Sequence, residues 1–248
     1  MNIVFNPISQ LHAGPLTIYV WGSAFASAYF IGLLLTLYLA KKKNIDQNIV
    51  YDLAMVILVS SLIGARIFYI FDNVKFFLND PIQIIRIWAG GLSFIGGFIG
   101  ATIGGYFYIK AKKLDFWMWA DLFAPAIPLS YAIVRIFGCF VSGLHHGRGT
   151  SIVWAVNGTH PVTLYAALVG LVIFIKLMYL RTKNLPKGAL FLIFVILYGI
   201  GRFIVDFFQD VNAIKGLTSM QWLIAITIPF VLGYFYKLWV KHITLSSE

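Results

Sequence analysis

Seven predominantly apolar stretches, separated by short polar connections, constrain this chain more than any other feature; they run near 17–40, 51–72, 92–110, 116–142, 162–180, 188–208 and 219–240. About 20 apolar residues of α-helix cross the hydrocarbon core of a bilayer. No water is available there to satisfy the backbone, so a spanning segment must close its own hydrogen bonds. The expected fold is all-α, a polytopic membrane protein of about seven transmembrane helices. A single integral membrane domain over 1–248 is expected, with a small outer loop region near 143–161. Composition excludes a soluble domain, because 60% hydrophobic and 11% charged residues leave too little polar surface to cover one.

The net charge of +10 would suit a nucleic acid partner in a soluble protein, but here the basic residues flank the apolar spans. Lys41, Lys42, Lys43, Lys110, Lys112, Lys113, Arg181, Lys183, Lys187, Lys237 and Lys241 follow the odd-numbered spans, eleven of the nineteen Lys and Arg residues. The other side holds Lys75, Arg86, Arg148 and Lys215. Positive charge marks the cytoplasmic side, so the N-terminus is expected outside and the C-terminus inside. The lipid bilayer is an expected partner, and nucleic acid is not. The opening residues lack a basic segment and a cleavage site, so no removable signal peptide is expected.

With this topology spans two, four and six run outward, and each carries an arginine late in its course: Arg66, Arg135 and Arg202. An arginine in hydrocarbon costs roughly 2.5 kcal/mol or more unless it meets an anion or water. One alone reads as a snorkelling side chain or half of a buried ion pair. Three at matched depth in the outer half of the membrane point to a site. Asp206 is the acidic residue clearly at that level, four residues after Arg202, with Tyr198 four residues before it on the same helix face. One carboxylate does not neutralise three arginines, so the site requires an external anion. A phospholipid headgroup is the anion found at that depth, and its phosphate oxygens suit the planar guanidinium fork.

Span three carries Gly96, Gly100 and Gly104 at four-residue spacing, with Gly97, Ala101 and Gly105 one step round, a pattern that lets a neighbouring helix approach closely. Gly90, Gly91 and Ser93 fall at the outer boundary, where a helix N-terminus can present N–H groups to an anion. The segment 73–88, amphipathic and broken by Pro81, is expected to lie in the interface. The outer loop holds His145, His146 and His160. Adjacent histidines point in different directions and no acidic residue is near, so no metal is expected. A proton-handling imidazole and a plain solvated loop both remain open readings. The single cysteine, Cys139, excludes an intramolecular disulfide and a cysteine metal cluster. No nucleotide-binding glycine loop, nucleophile elbow, zincin motif or internal repeat is present, and no cofactor is expected.

Eight pieces, taken in chain order, carry a resemblance to a known family. They are Trp21-Gly22, GARIFY from Gly64, GGLSFIGG from Gly90, APAIPLSYAIVRIFGCF with Arg135, the loop glycines Gly143 and Gly147, THPVTLY from Thr159, YGIGRFIVDFF from Tyr198, and Met220-Gln221. Together they resemble the prolipoprotein diacylglyceryl transferases over nearly the whole chain. The resemblance implies transfer of the diacylglyceryl group of phosphatidylglycerol to the thiol of the signal-peptide cysteine of a preprolipoprotein, with release of glycerol phosphate. It implies a multi-pass protein of the plasma (inner) membrane whose active site faces the outer leaflet. The nucleophile belongs to the substrate, so Cys139 is not required to act.

By this resemblance Arg135, Arg202 and Asp206 are the expected catalytic residues, while Arg66, Trp21, Ser93, Gly147, Tyr198 and His160 contact the phospholipid. The departures are specific. Ile95 stands where the family has a histidine, Trp21 where it has a tyrosine, Cys139 where it has an asparagine, and Ala166 where it has a glutamate. Asp206 replaces a glutamate, and one extra residue follows Arg135. His145 or His146 is the expected replacement for the missing histidine as a base. The alternative reading is a diverged, non-catalytic relative that binds anionic phospholipid or an exported lipidated protein. A transporter is disfavoured, because polar residues cluster towards one side and the inner half is apolar.

Overall fold

The structure, a computed structural model, describes residues 3–14, 16–86, 90–144, 147–211 and 214–246. His145 and His146 lie outside the described residues. The chain divides into two compact units, one of Met1–Thr36 with Ala120–Glu248 and the other of Leu37–Trp119.

Six helices among the described residues are long and apolar enough to cross a membrane: Val20–Lys42, Gln47–Asp72, Phe116–Phe140, Val162–Leu180, Ala189–Asp206 and Ser219–Thr244. The seventh expected span is also helical, Phe94–Ala111, and carries five glycines and Lys110. The protein is thus a polytopic, mainly α-helical membrane protein. Sequence reasoning missed a short antiparallel hairpin, β1 (Gln10–Ala13) and β2 (Leu16–Tyr19), with Leu11 opposite Ile18 and His12 opposite Thr17. Its second strand takes Thr17, Ile18 and Tyr19 from the expected first span, so helix α1 (Val20–Lys42) starts later. β-Branched and aromatic residues in alternation favour that extended start.

The Leu37–Trp119 unit is built on the packing of α2 (Gln47–Asp72) against α4 (Phe94–Ala111). Asp46 starts α2 by accepting the Asn48 N–H at 2.9 Å. A Cβ at Gly64 would overlap the Gly96 carbonyl and Gly100, and one at Gly104 would overlap Ser60, so the glycine ridge of α4 allows near backbone contact. Between them lie α3 (Val74–Asn79) and a 3-10 turn started by Pro81.

The other unit packs its helices in sequence. α5 (Phe116–Phe123), whose last residues belong here, leads to α6 (Ala126–Ile133) and a π-helical turn (Val134–Phe140), followed by α7 (Val162–Leu180), α8 (Ala189–Asp206) and α9 (Ser219–Ser246). Ile173 and Leu177 of α7 bury against Leu190 and Phe194 of α8. Asp121 accepts the Gly188 and Phe191 N–H groups at 2.7 and 2.9 Å, which satisfies the N-terminus of α8 with a carboxylate. The chain's first residues tie to the loop that precedes α7: Asn157 accepts the Phe5 N–H at 3.0 Å and donates to the Phe5 carbonyl at 2.7 Å.

Candidate functional site

Two arginines of the larger unit are joined through a pair of tyrosines. Tyr131 stands one helical turn before Arg135, and the Arg135 guanidinium lies over its ring at 5.0 Å from the centroid. Tyr198 stands one turn before Arg202 on α8. The Tyr131 and Tyr198 rings meet edge to face, 5.4 Å apart at 88°. Sequence reasoning identified the column on α8 and missed its counterpart, although Tyr131-x3-Arg135 has the same spacing.

Arg202 is the better anchored of the two. Its Nη2 forms an ion pair with Asp206 Oδ1 at 2.8 Å and donates a hydrogen bond to Gln209 Oε1 at 3.0 Å. Nη2 is thus held between Asp206 and Gln209, while Nε–H is buried with no partner among the described residues. Asp206 is 1% exposed and its second oxygen accepts the Thr218 hydroxyl at 3.0 Å. A narrow crevice beside Arg202 is lined by Tyr131, Tyr198 and Ala166. Ala166 occupies the position where the family resemblance places a glutamate and brings no carboxylate to the crevice.

Arg135 has no carboxylate partner among the described residues. It enters the π-helical turn Val134–Phe140, whose wider rings show in the bonds from Val141 N–H to the Ile136 carbonyl at 3.2 Å and from Leu144 N–H to the Cys139 carbonyl at 2.8 Å. A π turn accommodates one residue more than an α turn. That is the physical outlet for the extra residue after Arg135. Gly138 and Cys139 are buried here, with Trp21 packed against Gly138.

His160 sits among aromatic side chains just before α7. Its ring lies 5.0 Å from Phe208, and its Nδ1 is 3.3 Å from the Tyr165 hydroxyl, which also accepts the Trp154 indole N–H at 2.8 Å. Gly147 packs directly on His160, since a Cβ there would overlap the His160 carbonyl. Arg148 ties the loop before α7 to the end of α8 by donating its Nε–H to the Gln209 carbonyl at 3.2 Å. Gln209 therefore bonds to Arg202 through its side chain and to Arg148 through its backbone. Sequence reasoning did not single out Gln209, and its residue type alone gives no signal for that double role. A cleft of about 60 Å³ opens beside His160, lined by Phe5, Asn157 and Thr163.

Arg66 and Ser93 belong to the other unit. Arg66 donates Nε–H to the Ile84 carbonyl at 3.0 Å and Nη1 to the Gly90 and Gly91 carbonyls at 2.8 Å each. Its Nη2 donates to the Gln83 carbonyl and, at 3.4 Å, to that of Arg86. All five donors are thus engaged by backbone, and none is left for a phosphate. Gly90 and Gly91, at φ +91° and +76°, adopt the left-handed conformations that bring both carbonyls to the guanidinium. Ser93 caps α4: its hydroxyl oxygen accepts the Gly96 N–H at 3.4 Å, while its own N–H donates to the Ala65 carbonyl at 3.0 Å. Ile95, in the place of the family histidine, is 64% exposed.

Comparison with known proteins agrees with the resemblance. The sequence model of one family, described as prolipoprotein diacylglyceryl transferase, matches residues 8–239. The chain is similar to the phosphatidylglycerol–prolipoprotein diacylglyceryl transferase of Geobacter sulfurreducens, with 34% identity over 212 residues that cover 79% of this chain and 77% of that protein. The enzyme of the same name from Geobacillus kaustophilus is 34% identical over 224 residues, 83% of each chain. That from Listeria welshimeri is 33% identical over 218 residues, 81% of this chain and 78% of its own length. A match of this extent, on a helical membrane protein with a buried arginine–carboxylate pair, places the chain in the prolipoprotein diacylglyceryl transferase family.

Proposed function

We propose that this protein transfers the diacylglyceryl group of phosphatidylglycerol to the cysteine thiol of a preprolipoprotein signal peptide. The observation that carries this reading is the pairing of one anchored arginine, Arg202, with a second, Arg135, that has no carboxylate among the described residues. Together they supply positive charge beyond what Asp206 neutralises.

The thiolate sulfur attacks the glyceryl carbon that bears the phosphate, a C–S bond forms, and the C–O bond breaks with its electron pair passing to the phosphate oxygen. The thiol proton ends on the departing glycerol phosphate, whose second pKa is near 6, or passes through a base on the way. Charge grows on the phosphate as the bond breaks, and preorganised guanidinium groups stabilise that charge more than the ground state. Arg135 and Arg202 take this role. Asp206 keeps Arg202 aimed, and Tyr198 with Tyr131 forms the wall between the two arginines. Trp21, Gly147 and His160 shape the approach of lipid and peptide. His145 and His146 are the candidates for proton transfer, given the isoleucine at 95. Arg66, with its donors engaged, acts by holding the loop before α4; Ser93 starts that helix.

The site faces the outer leaflet of the plasma (inner) membrane, with the N-terminus outside and the C-terminus cytoplasmic; the distribution of lysine and arginine supports this orientation. The test is incubation of the purified protein in phosphatidylglycerol vesicles with a synthetic signal peptide bearing one cysteine. Mass spectrometry is expected to find a thioether-linked diacylglyceryl adduct. A peptide left unmodified while phosphatidylglycerol is still bound would replace this reading with that of a non-catalytic lipid-binding relative.

A further inference from the structure

We propose that Thr218 is a positioning residue for Arg202, acting through Asp206. The first turn of α9 forms a closed box: the Thr218 N–H donates to Gln221 Oε1 at 2.9 Å, and the Gln221 N–H donates to Thr218 Oγ1 at 3.1 Å. Such a reciprocal box starts a helix by satisfying two otherwise orphaned donors. Here it also does something a cap alone does not. Gln221 N–H occupies an acceptor position of the Thr218 hydroxyl, and the single hydroxyl hydrogen is directed to Asp206 Oδ2 at 3.0 Å. The Gln221 side chain also donates to the Phe203 carbonyl at 3.0 Å, fixing α9 to α8 beside the pair.

The consequence runs along one line of bonds. Asp206 has one oxygen on Thr218 and the other on Arg202, so the carboxylate plane is set from both sides. Asp206 and Gln221 are each 1% exposed and Thr218 is 6% exposed, so water does not compete for these bonds. With Nη2 shared between Asp206 and Gln209, the remaining edge of the guanidinium is presented in a fixed direction. A reacting phosphate needs that direction held to within a fraction of an ångström.

A capping role and a positioning role differ in which replacements they tolerate. Aspartate is as good an N-cap as threonine, but ionised it donates no hydrogen to Asp206. Serine preserves both functions, and valine preserves shape with neither. The activity readout rests on the transferase reading; a second readout does not. In the full-length purified protein, Thr218→Val and Thr218→Asp are expected to lower kcat about tenfold or more. KM for the peptide is expected to stay within about twofold, and Thr218→Ser to keep kcat within about twofold. By NMR on arginine-labelled protein, the Arg202 Nε–H signal, assigned by its loss in Arg202→Lys, is expected to be single in the wild type and the serine variant, and broadened or shifted in the valine variant. Wild-type turnover in Thr218→Asp, or an unchanged Arg202 signal in Thr218→Val, would overturn the proposal. If the wild type turns over no peptide, the transferase reading fails and the Arg202 signal alone decides the role of Thr218.

Discussion

The Asp206 carboxylate, 1% exposed, lies 2.8 Å from the Arg202 guanidinium one helical turn before it, and the pair is closed on its far side by the Thr218 hydroxyl. Removing one partner of such a pair leaves an uncompensated buried charge. Asp206→Ala is therefore expected to destabilise the protein by about 3–5 kcal/mol. Asp206→Asn keeps the volume and loses the charge, so it is expected to fold and to lose about 100-fold in turnover. Thermal unfolding in detergent and peptide modification rates, measured on both variants, check this pair of outcomes.

The Gly64 contact is a test of the fold rather than of the chemistry. A methyl group at 64 meets the backbone of α4 at Gly96 and Gly100, which cannot move aside as a side chain can. Gly64→Ala is expected to cost at least about 1–3 kcal/mol, the usual range for overpacking, and Gly64→Val to prevent stable folding. Gly14, with nothing within reach of an added Cβ, is no control because its φ is +61°; Gly22, with free space and an ordinary backbone, is, and Gly22→Ala is expected to fold like the wild type.

Arg66 makes a different prediction from Arg202, although the two read alike in the sequence. Its five donors hold the carbonyls of Gln83, Ile84, Arg86, Gly90 and Gly91. Lysine has three donors on a single atom and does not reproduce that span. Arg66→Lys is expected to loosen the loop before α4, seen as faster proteolysis there and a loss of about 1–3 kcal/mol in stability. An Arg66→Lys variant with wild-type loop protection and a selective loss of phosphatidylglycerol binding would return Arg66 to the role of a phosphate ligand.

How much of this was legible in the sequence depended on whether a bond is coded by side chains. The spans were readable because hydrocarbon thickness fixes their length, and the glycine ridge was readable because close packing repeats every four residues. The Arg202–Asp206 pair followed from helical spacing alone. Arg66 was not legible in the same way: its partners are backbone carbonyls of a loop, and any residue type provides a carbonyl. The hairpin Gln10–Tyr19 was missed: Thr17, Ile18 and Tyr19 of its second strand were absorbed into the first apolar span, because strand and helix share apolar content at that length. Thr218 and Gln221 left a signal, Thr-x-x-Gln before an apolar run, that spells a capping box; its bond to Asp206 required the fold.

The orientation in the membrane can be read with one probe. In a Cys139→Ser background, Thr150→Cys in the outer loop is expected to react with a membrane-impermeant maleimide on intact cells, and Lys112→Cys only after the membrane is opened. The reverse pattern would invert the topology and place the arginines in the inner leaflet.

The most direct test of the central claim is the stoichiometry of transfer in phosphatidylglycerol vesicles, with glycerol phosphate release and peptide adduct counted together. The wild type is predicted to release one glycerol phosphate per thioether formed. Arg135→Ala and Arg202→Ala are predicted to lose about 100-fold or more of both products while still binding the peptide. Either arginine variant transferring at the wild-type rate, or a folded wild type yielding neither product, would contradict the account.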